Sequence, residues 1–290
     1  MRLKEKRKRV LGVFVVILVL GVIWVLWSNT ALELSRYTLT SEMLPTSFDG
    51  FRIAQISDLH NAEFGKGNEK LLAMLRDAEP SIIVITGDMI DSRRTNIGIA
   101  LEFAREAVKI APCYYISGNH EARVREYEEL KVGLSTLGVI VLEDAKVMID
   151  RRGESFALVG VSDPSFHTDY LFGDDETVMR GKLDELIDEA DEFTVLLSHR
   201  PELFDIYEES SVDLILSGHA HGGQFRLPFV GGLVAPNQGL FPKYDGGMYG
   251  DGRTKMIVSR GVGNSIIPIR LNNRPEVVLV ELRYEFQQDS

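Results

Sequence analysis

The sequence predicts an α/β protein, a two-sheet β-sandwich core flanked by helices, with one transmembrane helix in front of it. Three observations carry that prediction. An uncharged apolar run of eighteen residues, Val10 to Trp27, follows a basic tail. Six nearly unbroken apolar runs of strand length then alternate with helical stretches, as expected for strands buried on both faces. Past Gly222 the chain turns rich in Gly, Pro, Tyr and Asn and closes with two more strand-like runs.

The apolar run has no proline and would span roughly 27 Å as a helix, close to a bilayer core of about 30 Å. Arg2, Lys4, Lys6, Arg7, Lys8 and Arg9 precede it, and Trp24 and Trp27, the aromatic type found at membrane interfaces, sit at its far end. The positive-inside rule puts residues 1–9 in the cytoplasm, the helix at 10–27, and everything from residue 28 on the other face of the cell membrane. A cleavable signal peptide is the alternative. Its apolar stretch is usually shorter, and Ser28-Asn29-Thr30-Ala31 is a poor cleavage match.

Residues 28–49 read as a connector and first strand, polar enough to lift the following domain, 50–290, off the membrane. The strand-like runs are Arg52–Ser57, Ser81–Thr86, Cys113–Ser117, Phe156–Val161, Phe193–Ser198 and Val212–Ser217, then Lys255–Ser259 and Glu276–Leu282. Between them, Leu71, Leu72, Leu75 and Ala78 share one helix face, and Leu183, Leu186, Ile187 and Ala190 share another. Residues 222–254 read as loops and short strands that shape a pocket.

The net charge of −11 hides two objects. Residues 1–27 carry six basic residues against Glu5, whereas the remainder holds 26 basic and 42 acidic residues, a net −16. So acidic a body is no general nucleic-acid binder, because phosphate neutralisation needs clustered Lys and Arg. The single cysteine, Cys113, excludes a disulfide scaffold and a Cys-ligated zinc; in a buried strand it reads as inert packing. Nothing in the sequence calls for an obligate protein partner.

Five strands deliver chemistry from their carboxyl ends, where α/β sheets build ligand crevices. The segments are Ser57-Asp58-Leu59-His60, Thr86-Gly87-Asp88, Ser117-Gly118-Asn119-His120-Glu121, Ser198-His199-Arg200 and Ser217-Gly218-His219-Ala220-His221. Each is weak alone. Together they hold five of the six histidines, which random placement would scatter.

This set of five motifs, in order, resembles the calcineurin-like metallophosphoesterases over about residues 50–285. The Gly222-Gly223-Gln224 continuation and Pro268-x-Arg270 resemble a membrane-associated bacterial subgroup described as phosphodiesterases, some as UDP-2,3-diacylglucosamine pyrophosphatases. The resemblance implies two divalent ions. Asp58, His60 and His221 would hold one, Asn119, His199 and His219 the other, and Asp88 would bridge them. Oxygen and imidazole donors suit Mn, Fe, Zn or Ni without choosing among them. A metal-bridging hydroxide would attack phosphorus, and His120 would steady the transition state and protonate the leaving group.

The expected substrate is a phosphodiester or pyrophosphate, amphiphilic because of the membrane helix, such as a UDP-diacylglucosamine-like compound. A phosphomonoesterase or nucleotidase is the alternative, and a non-catalytic membrane-tethered interaction protein the rival class. Arg200 and Arg270 could grip a phosphate or head group bidentately, or be ordinary arginines. Asp91 reads equally as a partner of a metal ligand or a helix N-cap, and Asp163 as a crevice residue or a turn residue before proline. His167 falls in no motif and reads as a surface or lid residue. Gly261-Val262-Gly263 lacks the rest of a dinucleotide loop and reads as a hairpin turn.

Overall fold

The computed structural model describes residues 2–167, 174–187, 192–264 and 268–285. The apolar run lies in one helix, α1 (Arg2–Thr30), which by length and composition can cross a membrane and whose apolar stretch is not buried by the rest of the chain. The helix outruns the apolar segment. Asn29 Nδ2 donates to Val25 O (2.6 Å) and Thr30 Oγ1 to Leu26 O (2.8 Å), which extends the last turn. Only Ala31 and Leu32 then separate it from the first strand, Glu33–Ser41, which falls within the 28–49 segment read as connector and first strand.

Two six-stranded sheets face each other. The first holds β1 (Glu33–Ser41), β2 (Phe51–Ile56), β3 (Ile82–Thr86), β4 (Cys113–Ile116) and β5 (Ile140–Val141). The second holds β6 (Ala145–Arg151), β7 (Glu154–Gly160), β8 (Thr194–Leu197) and β9 (Leu214–Ser217). Two small hairpins follow, β10 (Arg226–Leu227) with β11 (Gly231–Gly232) and β12 (Val234–Ala235) with β13 (Gly239–Leu240). Then β14 (Gly247–Tyr249) and β15 (Lys255–Val258) return to the second sheet, and β16 (Glu276–Tyr284) enters the first. The spatial orders are β1-β16-β2-β3-β4-β5 and β14-β15-β9-β8-β7-β6.

Period-two burial explains the layers even where a strand is apolar throughout. Ile53, Val84, Val195, Leu197, Leu214 and Leu216 point between the sheets. Ala54, Ile56, Ile83 and Ile85 point outward onto α2 (Glu69–Ala78), α3 (Ile97–Ala107) and α4 (Tyr127–Thr136). Leu196 and Ile215 point onto α5 (Asp175–Leu186) and α6 (Phe204–Glu209). The result is a helix–sheet–sheet–helix stack. One helix expectation fails at its end: α5 stops at Leu186, because Ile187 turns extended (φ −110°, ψ 111°), and Ala190 lies outside the described residues.

The central strands β2, β3 and β4 run parallel, as do β7, β8, β9 and β15, so their carboxyl ends share one rim of the sandwich. Gln55, fully buried on β2, donates from Nε2 to Thr86 Oγ1 (2.9 Å) and across the sandwich to Ser217 O (2.8 Å). That side chain ties the two sheets together just below the rim.

Candidate metal centre

All five motif loops meet at that rim, and every proposed ligand is buried. Asp58 N donates to Gly87 O (3.0 Å) and His60 N to Asp88 O (3.0 Å), which locks the first loop onto the second. Five of the seven proposed ligands, Asp58 (φ 54°), His60 (44°), Asp88 (53°), His219 (66°) and His221 (48°), hold left-handed backbone. Each such residue costs on the order of 1–3 kcal/mol and persists only where its surroundings enforce it.

Two glycines make room for this. A Cβ at Gly218 would lie 2.5 Å from Asp58 Oδ2 and closer still to Ser57 Oγ; one at Gly118 would lie 2.6 Å from Asp88 N.

Two groups of donors result, Asp58–His60–Asp88–His221 and Asp88–His199–His219, and within each the ligand atoms lie within 4.8 Å of one another. Asp88 is common to both. His60 Nε2 lies 3.2 Å from His221 Nε2 and 3.5 Å from Asp88 Oδ2; His221 Nε2 lies 3.4 Å from Asp58 Oδ1. His199 Nε2 is 3.2 Å from Asp88 Oδ2, and its Nδ1–H donates to Thr86 O (2.7 Å), leaving a lone pair on Nε2 of the neutral ring.

The donors fit a pair of cations. Asn119 Oδ1, His199 Nε2 and His219 Nε2 are buried yet have no hydrogen-bond partner among the described residues. Buried polar atoms without partners cost free energy. His199 Nε2 and His219 Nε2, grouped with the shared Asp88 carboxylate, are what a second ion would satisfy, and Asn119 Oδ1 is a further unmet acceptor. Oxygen and imidazole donors without thiolate suit a borderline divalent ion.

The protonation pattern separates the histidines. Burial pushes His221 down to about 3, with the nearby Arg270 charge adding to this and the Asp58 carboxylate opposing it. Burial, then Arg200, also holds His219 well below the usual imidazole range. For His199 burial acts downward too, but the Asp88 carboxylate outweighs it and lifts the ring to about 10. Burial pushes the Asp88 carboxyl up, but His199 first, then His60 and His120, hold it well below its usual range.

A family model described as calcineurin-like phosphoesterase matches residues 51–223. The chain belongs to that family. It is 30% identical over 258 residues to YkuE of Bacillus subtilis, described as an uncharacterized metallophosphoesterase, covering 87% of this chain and 86% of that one. To the phosphodiesterase YaeI of Escherichia coli it is 28% identical, covering 80% and 82%. A Danio rerio transmembrane protein with metallophosphoesterase domain is 27% identical over 83% of this chain and 55% of its own. Among solved structures, TT1561 of Thermus thermophilus shares the fold with a TM-score of 0.51, at 14% identity over 73% of this chain and 90% of that one. The calcineurin-like chain is accordingly a metal-dependent phosphoester hydrolase.

Around this phosphoesterase centre the remaining expected residues sort themselves. His120 Nδ1 accepts from Ser92 N (3.0 Å), so the neutral ring carries its proton on Nε2, and burial lowers its pKa. Its ring stacks edge-on to His60, centroids 4.5 Å apart. Arg200 does not present a free guanidinium. It is buried and donates to Asp163 through Nε (2.5 Å) and Nη2 (2.8 Å), to Ser165 Oγ (2.8 Å) and to Glu202 (3.3 Å), so the expected phosphate grip gives way to a brace beside His199. Asp163 is both a turn residue, accepting from Ser165 N (2.9 Å), and the partner of that brace.

Arg270 is fully buried against the centre. Its Nε donates to Asn264 Oδ1 (2.9 Å) and its Nη2 to Gly263 O (2.5 Å), while Nη1 has no partner among the described residues. Asp91 is neither expected alternative. It closes a turn on Arg93 (Nη2, 2.9 Å), and α3 takes Asn96 as its N-cap. His167 is exposed, 3.8 Å from Asp144. Cys113 is buried, its thiol pushed up to about 12. Gly261-Val262-Gly263 is not a hairpin turn but a wall of the site: Val262 N donates to Ser57 O (3.0 Å) and Gly263 N to Asp58 O (2.7 Å).

Two positioning residues carried no assigned role in the sequence. Glu121 is buried and accepts from Asp88 N (2.9 Å), Gly118 N (2.8 Å) and Ile90 N (3.3 Å), so one carboxylate sets two ligand loops. Asn273 donates to His221 O (2.7 Å) and Gln224 O (3.1 Å), fixing the left-handed turn at His221. Adjacency to His120 was the available signal for Glu121; Asn273 had none.

Proposed function

We propose that this phosphoesterase is a membrane-anchored phosphodiesterase or pyrophosphatase acting on an amphiphilic substrate. In this reading Asp58, His60 and His221 hold one divalent ion, Asn119, His199 and His219 a second, and Asp88 serves both. When bound, such a pair supplies positive charge to the phosphoryl group and lowers the pKa of water. The chain's own groups do the rest. His120, its Nδ1 tied to Ser92, offers the Nε2 proton to the phosphoryl or leaving oxygen. Arg270 places a cation beside Asp58 and keeps Nη1 for a substrate oxygen. Residues 1–9 lie in the cytoplasm, 10–27 span the membrane, and the domain of residues 50–290 faces the other side.

The membrane half rests on α1, long, apolar and unburied by the rest of the chain, and one observation ties that helix to the site. Asn29, at the end of α1, accepts from Arg270 N (2.9 Å) and Asn264 Nδ2 (3.2 Å) and donates to Arg270 O (3.0 Å). The foot of the helix therefore clasps the segment that puts Arg270 against the ligands. The named activity of YaeI and the transmembrane description of the Danio rerio relative support the reading.

The test is a phosphoester panel on manganese-loaded full-length protein in mixed micelles. Lipid-linked diesters and pyrophosphates should turn over faster than soluble aryl diesters, and both faster than monoesters. Preference for monoesters would replace this reading with a phosphatase or nucleotidase.

A further inference from the structure

The hairpins after His221 expose apolar side chains that no core demands. Phe229 at the tip of the first hairpin is fully exposed, Leu240 is 75% exposed and Phe241 64%, with Val230 close behind. Phe229 (φ 67°) and Phe241 (φ 55°) also sit in left-handed backbone, which bulky side chains rarely adopt. A neighbouring segment adds exposed Ile269 and Leu271. Monomeric proteins rarely collect large exposed apolar patches without a partner for them.

The position of the patch says what that partner is. Arg226 N, at the base of the first hairpin, donates to Leu271 O (3.0 Å), and Gln224 Nε2 to Ile269 O (2.8 Å). Leu271 in turn lines a shallow apolar groove of about 530 Å³ along α1, with Gly21, Trp24 and Val25 among its walls. The second hairpin continues from the first, Leu233 N donating to Phe225 O (2.9 Å) and Phe241 N to Leu233 O (2.9 Å). Backbone bonds thus tie Leu271, whose side chain lines the apolar groove of the helix, to the bases of both hairpins, which leave the metal centre directly after His221. Apolar tips tethered to the outer end of a helix that crosses a membrane lie beside lipid.

We propose that the tips Phe229–Val230 and Leu240–Phe241, with Ile269 and Leu271, form an apolar rim that enters the lipid leaflet beside α1, so that the metal crevice opens at the membrane surface. Interfacial helices bury an apolar face about 5–10 Å into the headgroup–acyl boundary, and the same gain from buried apolar area draws exposed aromatic and aliphatic tips into it. The phosphoester of an amphiphile could then reach the ligands while its chains stay in the leaflet. The proposal rests on the anchoring reading above and deepens it.

The experiment separates the two. Phe229→Cys, Phe241→Cys and, as control, Val132→Cys on α4 are made in the full chain; Cys113 is buried, so an environment-sensitive fluorophore goes to the introduced thiol. Each protein is reconstituted into phosphatidylcholine–phosphatidylglycerol vesicles and titrated with nitroxide-bearing lipid or with aqueous iodide. Trp24 and Trp27, the chain's two tryptophans, report the helix in the same samples. Labels at 229 and 241 should be quenched by the lipid nitroxide and protected from iodide, with Val132 showing the reverse. If they behave like Val132 while the tryptophans are quenched by lipid, the anchor stands and the rim is overturned. Tryptophans that lipid does not quench would overturn the anchor itself. Labels shielded from iodide but untouched by lipid nitroxide would mean that protein, a second copy included, covers the patch, and the proposal fails.

Discussion

Replacing Asp163 with asparagine removes the principal carboxylate partner of a buried arginine and should destabilise the whole domain. Asp163 and Arg200 are both buried, joined by two charge-assisted hydrogen bonds of 2.5 and 2.8 Å. Breaking one partner of such a pair costs about 3–5 kcal/mol, because the other charge loses its paired hydrogen bonds. For Arg200 only the carboxylates of Glu202 (3.3 Å) and Asp175 (3.7 Å) then remain nearby among the described residues. An independent figure comes from titration. Burial raises the Asp163 pKa, but Arg200 outweighs it and holds the carboxyl at about 2, against 3.8 unperturbed. That difference is worth about 2 kcal/mol of pH-dependent stability. Its sign follows from the depressed value: the stabilisation is full above the unfolded pKa and is lost as pH falls through about 2. At about 2–4 °C per kcal/mol, Asp163→Asn should lower the melting temperature of the detergent-solubilised full chain by roughly 6–20 °C at neutral pH. It should also lose the share of about 2 kcal/mol that Asp163 adds to the parent's pH dependence between about 4 and 2, while the depressed Asp58 and Asp88 keep theirs. A melting temperature within about 1 °C of the parent, together with a raised KM, would refute the brace and return Arg200 to phosphate binding.

Three further outcomes follow from the site. His120→Ala should lose most of its turnover, about 100-fold or more, while metal analysis still finds the full complement of ions; loss of metal would make it a ligand. Gly218→Ala should fold, by circular dichroism, yet bind metal poorly, since its Cβ displaces Asp58 Oδ2 and Ser57 Oγ. Full metal affinity would show that this loop can yield. Because Asp88 outweighs burial and lifts His199 to about 10, a cation must displace a proton from that ring at neutral pH, whereas His221, held at about 3, is already neutral. Metal affinity should therefore rise about tenfold per pH unit for each proton displaced, read as proton release in calorimetry with buffers of different ionisation enthalpy. A pH-independent affinity would contradict this.

The parallel strands around the site were legible because burial on both faces makes their apolar runs nearly unbroken, as in Ile82–Thr86 and Leu214–Ser217. Strand β6 escaped notice because Ala145–Arg151 sets Val147, Met148 and Ile149 among Lys146, Asp150 and Arg151, neither an unbroken apolar run nor a clean alternation, and two-residue β5 is too short to show any period. No local pattern announces that β1 pairs in parallel with the final strand β16. The ligands were legible because metal chemistry permits few residue types and the strand ends concentrate them. The arginines were not: Arg200 and Arg270 read alike in sequence, and only the partners, Asp163 for one and backbone carbonyl plus Asn264 for the other, distinguish a brace from a residue with a spare donor. Asn29 likewise reads as the end of an apolar helix, and its clasp on Arg270 spans 241 residues of sequence.

The two candidate metal sites share Asp88. Their test is the metal content per chain, measured on manganese-loaded parent and Asp88→Asn side by side. The parent should hold two ions, and the variant should lose at least one of them together with its phosphoesterase activity while keeping its fold. A parent that binds no metal, or an Asp88→Asn protein that retains both ions and its turnover, would contradict that pair of sites.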